Sequence, residues 1–437
     1  MTDLSAGRVI VTYGRSLMAL AIARSLAQRG VEVIAADDVD LTVLAFSKWS
    51  EKSEKHAKAA DDPDAFLDDL ERIVRDNKPE DDRPYVLMPI FKETELVAKN
   101  AERFAPYVTV AAPPASAIDT VHPKDAFART INRLDLPAPK SFACESEGQL
   151  EEAIAAMGFP CIIKPADGVG GRGISKVDDE AALRDAWASL SEEFPGAPVV
   201  QALSEGDDYC YCFLAINGEI VADMAYRNLV SYPADYGAGV IRETVEHAPF
   251  QEAARKLISD TGWNGVGQID FMWTGEDSDT PQMIELNPRF WANLDHSVSS
   301  GVDFPWMHYE QAVTGKVSDT PKAEIGHRSK LPGLWLLAAL ENRDADKDRA
   351  ERETANAELL EKLKSGKVRE AFQAFASQPN TGLGLRHAFQ DLKKRLQDAD
   401  AVETVGIDDD DPLVGLGVLF VLGSLLEHGE LPPELKP

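Results

Sequence analysis

The sequence predicts a mixed fold: a parallel α/β layer first, an α+β region next, and a charged helical region last. Three observations predict it. Apolar strand-like runs alternate with helix-period segments through the first hundred residues. Asn217-Gly218 joins two strand-like runs at mid-chain, a strong hairpin signal. Glu/Lys-patterned segments dominate after Val317. The expected division is 1–115, 116–317 with a hinge near 201–206, and 318–437.

In the first layer, Val9-Ile10-Val11 reads as a buried strand ending at Tyr13-Gly14. A helix follows from about Leu17 to Arg29, capped by Gly30, and then a strand from Val31 to Ala36. Tyr85 to Ile90 is another buried-type strand, with a helix to about Phe104 and a strand near Val108. Asp37 ends the second strand, roughly where an acid grips a ribose in dinucleotide folds. Yet Tyr13-Gly14-Arg15-Ser16 has one glycine where that fingerprint wants three, which argues against a nicotinamide or flavin role.

From Pro123 to Leu203 the expected order is helix, strand, helix, strand, loop, strand, helix, strand. Lys124 opens the first helix, Lys124 to Leu134. Lys164, between Ile163 and Pro165 in an apolar strand, must find an anion or bear the cost of burial, and phosphate oxygens are a natural partner. The loop Gly168-Val169-Gly170-Gly171-Arg172-Gly173 matches G-x-G-x-x-G, but a strand-like run, not a helix, follows it. Such a loop is either a flap whose N–H groups approach phosphates or a glycine-rich hairpin turn. No P-loop motif is present.

Strands are expected at Tyr209 to Ala215 and Glu219 to Ala225, a Tyr/Pro/Gly-rich loop at Ser231 to Gly239, and a helix at Phe250 to Thr261. Two further strands, Val266 to Trp273 and Met283 to Asn287, carry Asp270, Glu285 and Asn287. Alternation puts Glu285 and Asn287 on one face and Ile284 and Leu286 in a core. Two carboxylates and an amide oxygen suit a Mg²⁺ shared with a nucleotide triphosphate. Solvated acids on a pair of edge strands are the competing reading.

Composition narrows the partners. With 74 acidic against 45 basic residues, the formal charge of −29 repels nucleic acid and anionic membranes. Such a surface would suit a salt-rich cytoplasm, the acidic-proteome habit. Cys144, Cys161, Cys210 and Cys212 show neither a disulfide framework nor a zinc spacing. The start carries no export signal, so a cytoplasmic location is expected. The apolar run Leu413 to Leu426 is 14 residues, short of the roughly 20 needed for a membrane span.

Taken together, Lys124, Ile163-Lys164-Pro165, the Gly168 to Gly173 loop, Gln201 to Gly206, Asp270 and Glu285-Leu286-Asn287-Pro288-Arg289 resemble the ATP-grasp superfamily, over about residues 5 to 315. The resemblance implies a Rossmann-like layer, a two-subdomain ATP-grasp fold and a C-terminal helical extension. It implies that Lys124 and Lys164 contact phosphates under a flap carrying Gly168, Gly170, Gly171 and Gly173. Gln201 would face the adenine amino group, backbone groups of Ala202 and Ser204 would read the base edge, and Asp208 would bind ribose. Gln201 departs from the acid common at its position. Asp270, Glu285 and Asn287 would hold Mg²⁺, with Mn²⁺ as an alternative, and Arg289 would steady the transferred phosphoryl group.

The implied chemistry activates a small carboxylate with ATP as an acyl phosphate and joins it to an amine. Two alternatives stay open: a catalytically silent ATP-binding sensor or scaffold, and an acid–thiol ligase. Asn293 stands where biotin-dependent carboxylases carry a glutamate, and no Met-Lys-Met biotinylation site is present, which disfavours biotin chemistry. Arg227, Arg242 and His296 are candidates for the acceptor pocket, though a solvated arginine or a structurally bonded histidine would explain each as well. The tail is read as helices at Asp344 to Lys367, Ala371 to Leu396 and Leu413 to Leu426, forming a lid or homodimer contact, with Asp408 to Asp411 as a solvated acidic break.

Overall fold

Three sheets organise the computed structural model, which describes residues 3–40, 42–167, 173–232, 238–276, 279–330, 402–404 and 411. The first sheet is parallel throughout. It consists of β1 (Arg8–Val11), β2 (Glu32–Asp37), β3 (Lys52–Lys55), β4 (Tyr85–Met88) and β5 (Thr109–Val110), in the order β3-β2-β1-β4-β5. Strand alternation divides β1 between two cores. Val9 and Val11 pack with the helix Leu17–Ala27, and Ile10 packs with the helix Pro63–Asp76. The first helix begins where the Ser16 side chain accepts from Ala19 N, 3.0 Å away. It ends two residues earlier than expected, with Gln28 as its cap, and Gly30 (φ +91°) turns the chain into β2.

The second sheet is antiparallel: β6 (Ser141–Ala143), β7 (Cys161–Lys164), β8 (Ser175–Val177) and β9 (Val199–Ala202), in the order β6-β9-β7-β8. The helices Glu147–Met157 and Glu180–Glu193 cover it through Leu150, Leu183 and Leu190. The helix Lys124–Leu134 has the predicted bounds.

The third sheet contains β10 (Asp207–Ile216), β11 (Glu219–Tyr232), β12 (Ala238–Val245), β13 (Gly265–Trp273), β14 (Gln282–Asn287), β15 (Arg328–Lys330) and β16 (Val402–Thr404). Their order is β14-β13-β10-β11-β12-β15-β16. Asn217 (φ 50°) and Gly218 (φ 86°) form the hairpin turn, the left-handed pair that matches strand twist. One face of this sheet, with Tyr209, Tyr211 and Phe213, packs on the helices Ala115–Val121, Lys124–Leu134 and Ala248–Thr261. The other, with Cys210, Cys212 and Leu214, packs on the helices Leu17–Ala27 and Phe304–Thr314, so the first layer lies against it.

Three expectations need correction. Part of the predicted loop 231–239 is strand, because β11 runs to Tyr232 and β12 starts at Ala238. The region after 317 is not wholly helical: β15 and β16 extend the third sheet at its edge. Both are three residues long, too short for periodicity to be read. Asp411 is buried, not solvated; it accepts from Ser47 Oγ at 2.5 Å and from Lys48 N at 3.2 Å. The helices expected at 344–367, 371–396 and 413–426 lie outside the described residues. Among the described residues no helix is long and apolar enough to cross a membrane. The four cysteines are buried and unpaired.

Candidate active site

The site forms where β13 and β14 meet the start of the helix Lys124–Leu134 and the end of β7. Ile269 and Phe271 are fully buried on one face of β13, so Asp270 faces the other way. In the antiparallel register Asp270 stands opposite Glu285, and Gln268 opposite Asn287. The register then slips: Phe271 pairs with Met283, leaving Ile284 as an extra residue. This bulge corrects the expected alternation. Met283 and Leu286, not Ile284 and Leu286, enter the core, and Ile284 is half-buried.

The bulge has a chemical consequence, because the Ile284 carbonyl accepts from Lys164 Nζ at 3.5 Å. Lys164 is 4% exposed, and its ammonium also donates to Gln201 Oε1 at 3.2 Å. Burial pushes Lys164 down to about 8, against the pull of Glu285 and alongside repulsion from Lys124. Lys124 reaches the same place by a backbone tie. Its N–H donates to Ala166 O at 2.9 Å, just past the end of β7, and its Nζ lies 3.2 Å from Glu285 Oε2. Burial alone would raise Glu285, but Lys124, Lys164 and Arg289 outweigh it and leave the carboxyl at about 2.

Asp270 behaves oppositely: burial, then the charges of Glu285 and Asp208, push it well above the usual carboxylate range. Its Oδ2 accepts from Asn287 Nδ2 at 3.1 Å, while its Oδ1 is buried without a partner. An orphaned buried carboxylate oxygen is costly unless a cation or donor meets it. The donor set of Asp270, Glu285 and the Asn287 amide is hard oxygen, which fits Mg²⁺ with phosphate and water completing the shell. Among the described residues no group of three or more His, Cys, Asp or Glu side chains is placed to hold a metal unaided. Arg289 donates to Asn287 Oδ1 at 3.0 Å and lies 4.9 Å over the Phe91 ring.

Other expected site residues are placed differently. Gln201 is buried with both ends of its amide engaged, the oxygen by Lys164 and the NH₂ by donation to Ser141 Oγ at 2.9 Å. Ala202 ends β9, and Ser204 lies on the connection from β9 to β10, between the second and third sheets. Asp208 accepts from Asn228 Nδ2 at 2.6 Å, and burial together with Glu285 raises its carboxyl. Gly173 has φ +77°, while Gly168, Gly170 and Gly171 lie outside the described residues. Asp37, the residue of the dinucleotide reading, accepts from Arg15 N at 2.9 Å and pairs with the Arg15 side chain.

Of the acceptor candidates, Arg227 is already engaged within the chain. It pairs with Glu243 at 2.6 Å, and Glu243 also binds Arg328, so its carboxylate partner is the chain's own. Arg242 is fully buried and donates to Gly239 O, with Nη1 left unpartnered. His296 is buried between Ser329 Oγ (2.8 Å) and Thr244 Oγ1 (3.1 Å), the structurally bonded role.

The first layer completes the site. A cavity of about 100 Å³ between the helix Glu93–Lys99 and the ion cluster is lined by Phe91, Lys92, Glu95, His122, Lys124, Glu285 and Arg289, among others. Sequence reading missed Phe91, Lys92, Glu95 and His122. Glu93 holds this wall: its buried carboxylate accepts from Ile90 N and Phe91 N at 3.2 Å and from the Thr12 hydroxyl. Phe91 in turn stacks on Tyr13 at 4.4 Å.

Residues 121–293 match the family model described as ATP-grasp domain. The acetyl-CoA carboxylase of Schizosaccharomyces pombe is 27% identical over 202 residues, covering 42% of this chain and 8% of that protein. The chain thus spans less than a tenth of the length of the curated relatives it matches. The biotin carboxylase domain of Hydrogenobacter thermophilus 2-oxoglutarate carboxylase, solved with MgADP, ADP and bicarbonate, superposes with TM-score 0.58 at 15% identity. That match covers 73% of each chain. L-amino acid ligase from Bacillus licheniformis superposes with TM-score 0.54 at 16% identity, covering 70% of this chain and 74% of the other. These superpositions establish a shared fold.

Proposed function

We propose, from the premise that residues 121–293 form an ATP-grasp domain, that the protein is an ATP- and Mg²⁺-dependent ligase of a small carboxylate and an amine. The observation that carries this reading is the paired charge cluster. Two lysines from separate elements converge on Glu285, which lies opposite a buried Asp270 with one oxygen unmatched. A cluster of that kind is costly unless a polyanion meets the lysines and a cation meets the carboxylates.

In this account Lys124 and Lys164 hold phosphate oxygens, and Arg289 neutralises charge growing on the transferred group. Asp270, Glu285 and Asn287 would hold Mg²⁺, which when bound offsets phosphate charge. Backbone groups of Ala202 and Ser204 would face the adenine, Asp208 the ribose, and the 168–173 loop the phosphates. The substrate carboxylate oxygen attacks the γ-phosphorus, the bond to the β-phosphate oxygen breaks, and ADP leaves. The amine nitrogen then attacks the acyl carbon, inorganic phosphate departs, and the amine gives up a proton. The division into 1–115, 116–317 and 318–437 is part of the same proposal.

Two observations bear on the alternatives. Retention of Lys124, Lys164, Asp270, Glu285, Asn287 and Arg289 in one cluster weighs against a silent sensor. At Asn293 the amide donates to Tyr226 OH at 3.3 Å, so the biotin-carboxylase glutamate has no carboxylate counterpart there. The test is a screen of amino acids and small acids, singly and in pairs, for stimulated ADP release, with product mass separating amide from thioester. The ligase reading expects release that requires a substrate and Mg²⁺; release indifferent to every acid and amine would refute it.

A further inference from the structure

We propose that His122, positioned by Glu95, is the general base that takes the proton from the amine. This rests on the ligase reading above and adds a residue to it. An amine attacking an acyl phosphate must shed a proton as the C–N bond forms and the C–O bond to phosphate breaks. The groups that bind ATP and metal are poor candidates to receive it. Glu285 is matched to Lys124, Asp270 and Asp208 face inward among other carboxylates, and Lys164 and Arg289 are cations.

His122 lies elsewhere on the same cavity wall as Lys124, Glu285 and Arg289, where an acyl group and an incoming amine would meet. It is half-buried, with a side-chain exposure of 29%, enough to be reached from the cavity. Its Nδ1 sits 3.2 Å from Glu95 Oε2, at an angle short of a good hydrogen bond. Catalytic hydrogen bonds are often loose before substrate binds and tighten in the complex. A proton held on Nδ1 leaves the Nε2 lone pair to act, the orientation logic of imidazole–carboxylate pairs.

Glu95 is itself anchored. Lys99 Nζ lies 2.6 Å from its Oε1 and 3.1 Å from Asp119, so a lysine behind the carboxylate keeps it charged and still. Contact with His122 first, and with Lys99 against the opposing effect of burial, holds the Glu95 carboxyl down to about 2. The balance is complete: the amine proton moves to Nε2, the electron pair of the breaking C–O bond leaves on phosphate, and the imidazolium releases its proton to solvent.

The experiment separates the two half-reactions with one nucleophile whose adduct needs a positioned base and one whose adduct gives its proton to water. Wild type and His122→Asn are given ATP, Mg²⁺ and a pool of amino acids and small acids, with either hydroxylamine or the ordinary amines of the pool. Hydroxylamine is largely unprotonated at neutral pH and its adduct is acidic enough to lose its proton to water, so it captures the acyl phosphate as a hydroxamate without a protein base. The proposal expects His122→Asn to retain hydroxamate formation while amide formation falls about 100-fold or more, the usual weight of a general base. Glu95→Gln should show the same split with a smaller loss. Equal amide rates in wild type and His122→Asn overturn the proposal, as does parallel loss of hydroxamate and amide, which would put His122 in ATP binding or folding. If wild type itself forms neither product, the ligase reading falls and takes this inference with it.

Discussion

Lys164 offers the sharpest quantitative test, because burial gives its charged form an energetic cost that a bound anion would remove. The residue is 4% exposed, and burial brings its ammonium from 10.5 to about 8, a difference of about 3 kcal/mol. Between about 8 and 10.5 the unfolded chain binds a proton that the folded chain does not, so this group makes folded stability rise with pH across that window. Triphosphate bound beside Nζ reverses the shift. Binding at pH 8.5–9, values chosen to lie just above that of Lys164, should therefore take up a fraction of a proton, and affinity should fall as pH rises. Lys164→Met should weaken MgATP by about 10- to 100-fold, the loss of a charge-assisted hydrogen bond of about 1.5–3 kcal/mol. It should also abolish the proton uptake. Isothermal titration calorimetry in buffers of different ionisation enthalpy measures both. Unchanged affinity with unchanged proton uptake in the variant would refute the placement of phosphate at Lys164.

Three further outcomes are expected. Glu285→Ala should stay folded and lose turnover by about 100-fold or more, with its Mg²⁺ dependence altered, read by ADP release against Mg²⁺ concentration. Gln201→Glu places a carboxylate at the oxygen that now lies 3.2 Å from Lys164 Nζ, so it should move the proton-uptake window to higher pH in the same calorimetry. Gly206→Ala should lower the melting temperature, by a stability loss of about 1–3 kcal/mol. Gly206 has φ +110°, and an added Cβ would lie 2.2 Å from the Trp273 carbonyl carbon.

How much of this was legible beforehand divides along physical lines. Lys164 stands out because a lysine in an apolar strand violates a burial rule, and Glu285 and Asn287 because strand alternation puts them on one face; Asp270 joins them through the pairing of β13 with β14. The fold followed from periodicity wherever elements were long or strongly patterned, as in the helix Lys124–Leu134. The bulge at Ile284 was not legible, since one extra residue leaves no compositional trace yet changes which side chains enter the core. The engagement of Gln201 with Lys164 and Ser141 depends on pairing of β9 with β7 and β6, partners set by long-range topology. The pairing of Arg227 is hidden for the same reason: its partner Glu243 comes from the neighbouring strand β12. Phe91, Glu95 and His122 needed the packing of the first layer against the later sheet, which no local pattern encodes.

The most direct test of the central claim is a crystal structure with Mn²⁺ and a non-hydrolysable ATP analogue, read by manganese anomalous scattering. The account predicts a manganese peak bridging triphosphate oxygens to the side chains of Asp270, Glu285 or Asn287, with Lys124 and Lys164 on the phosphates. A nucleotide bound away from those lysines, or manganese bound elsewhere with this cluster unchanged, would contradict it.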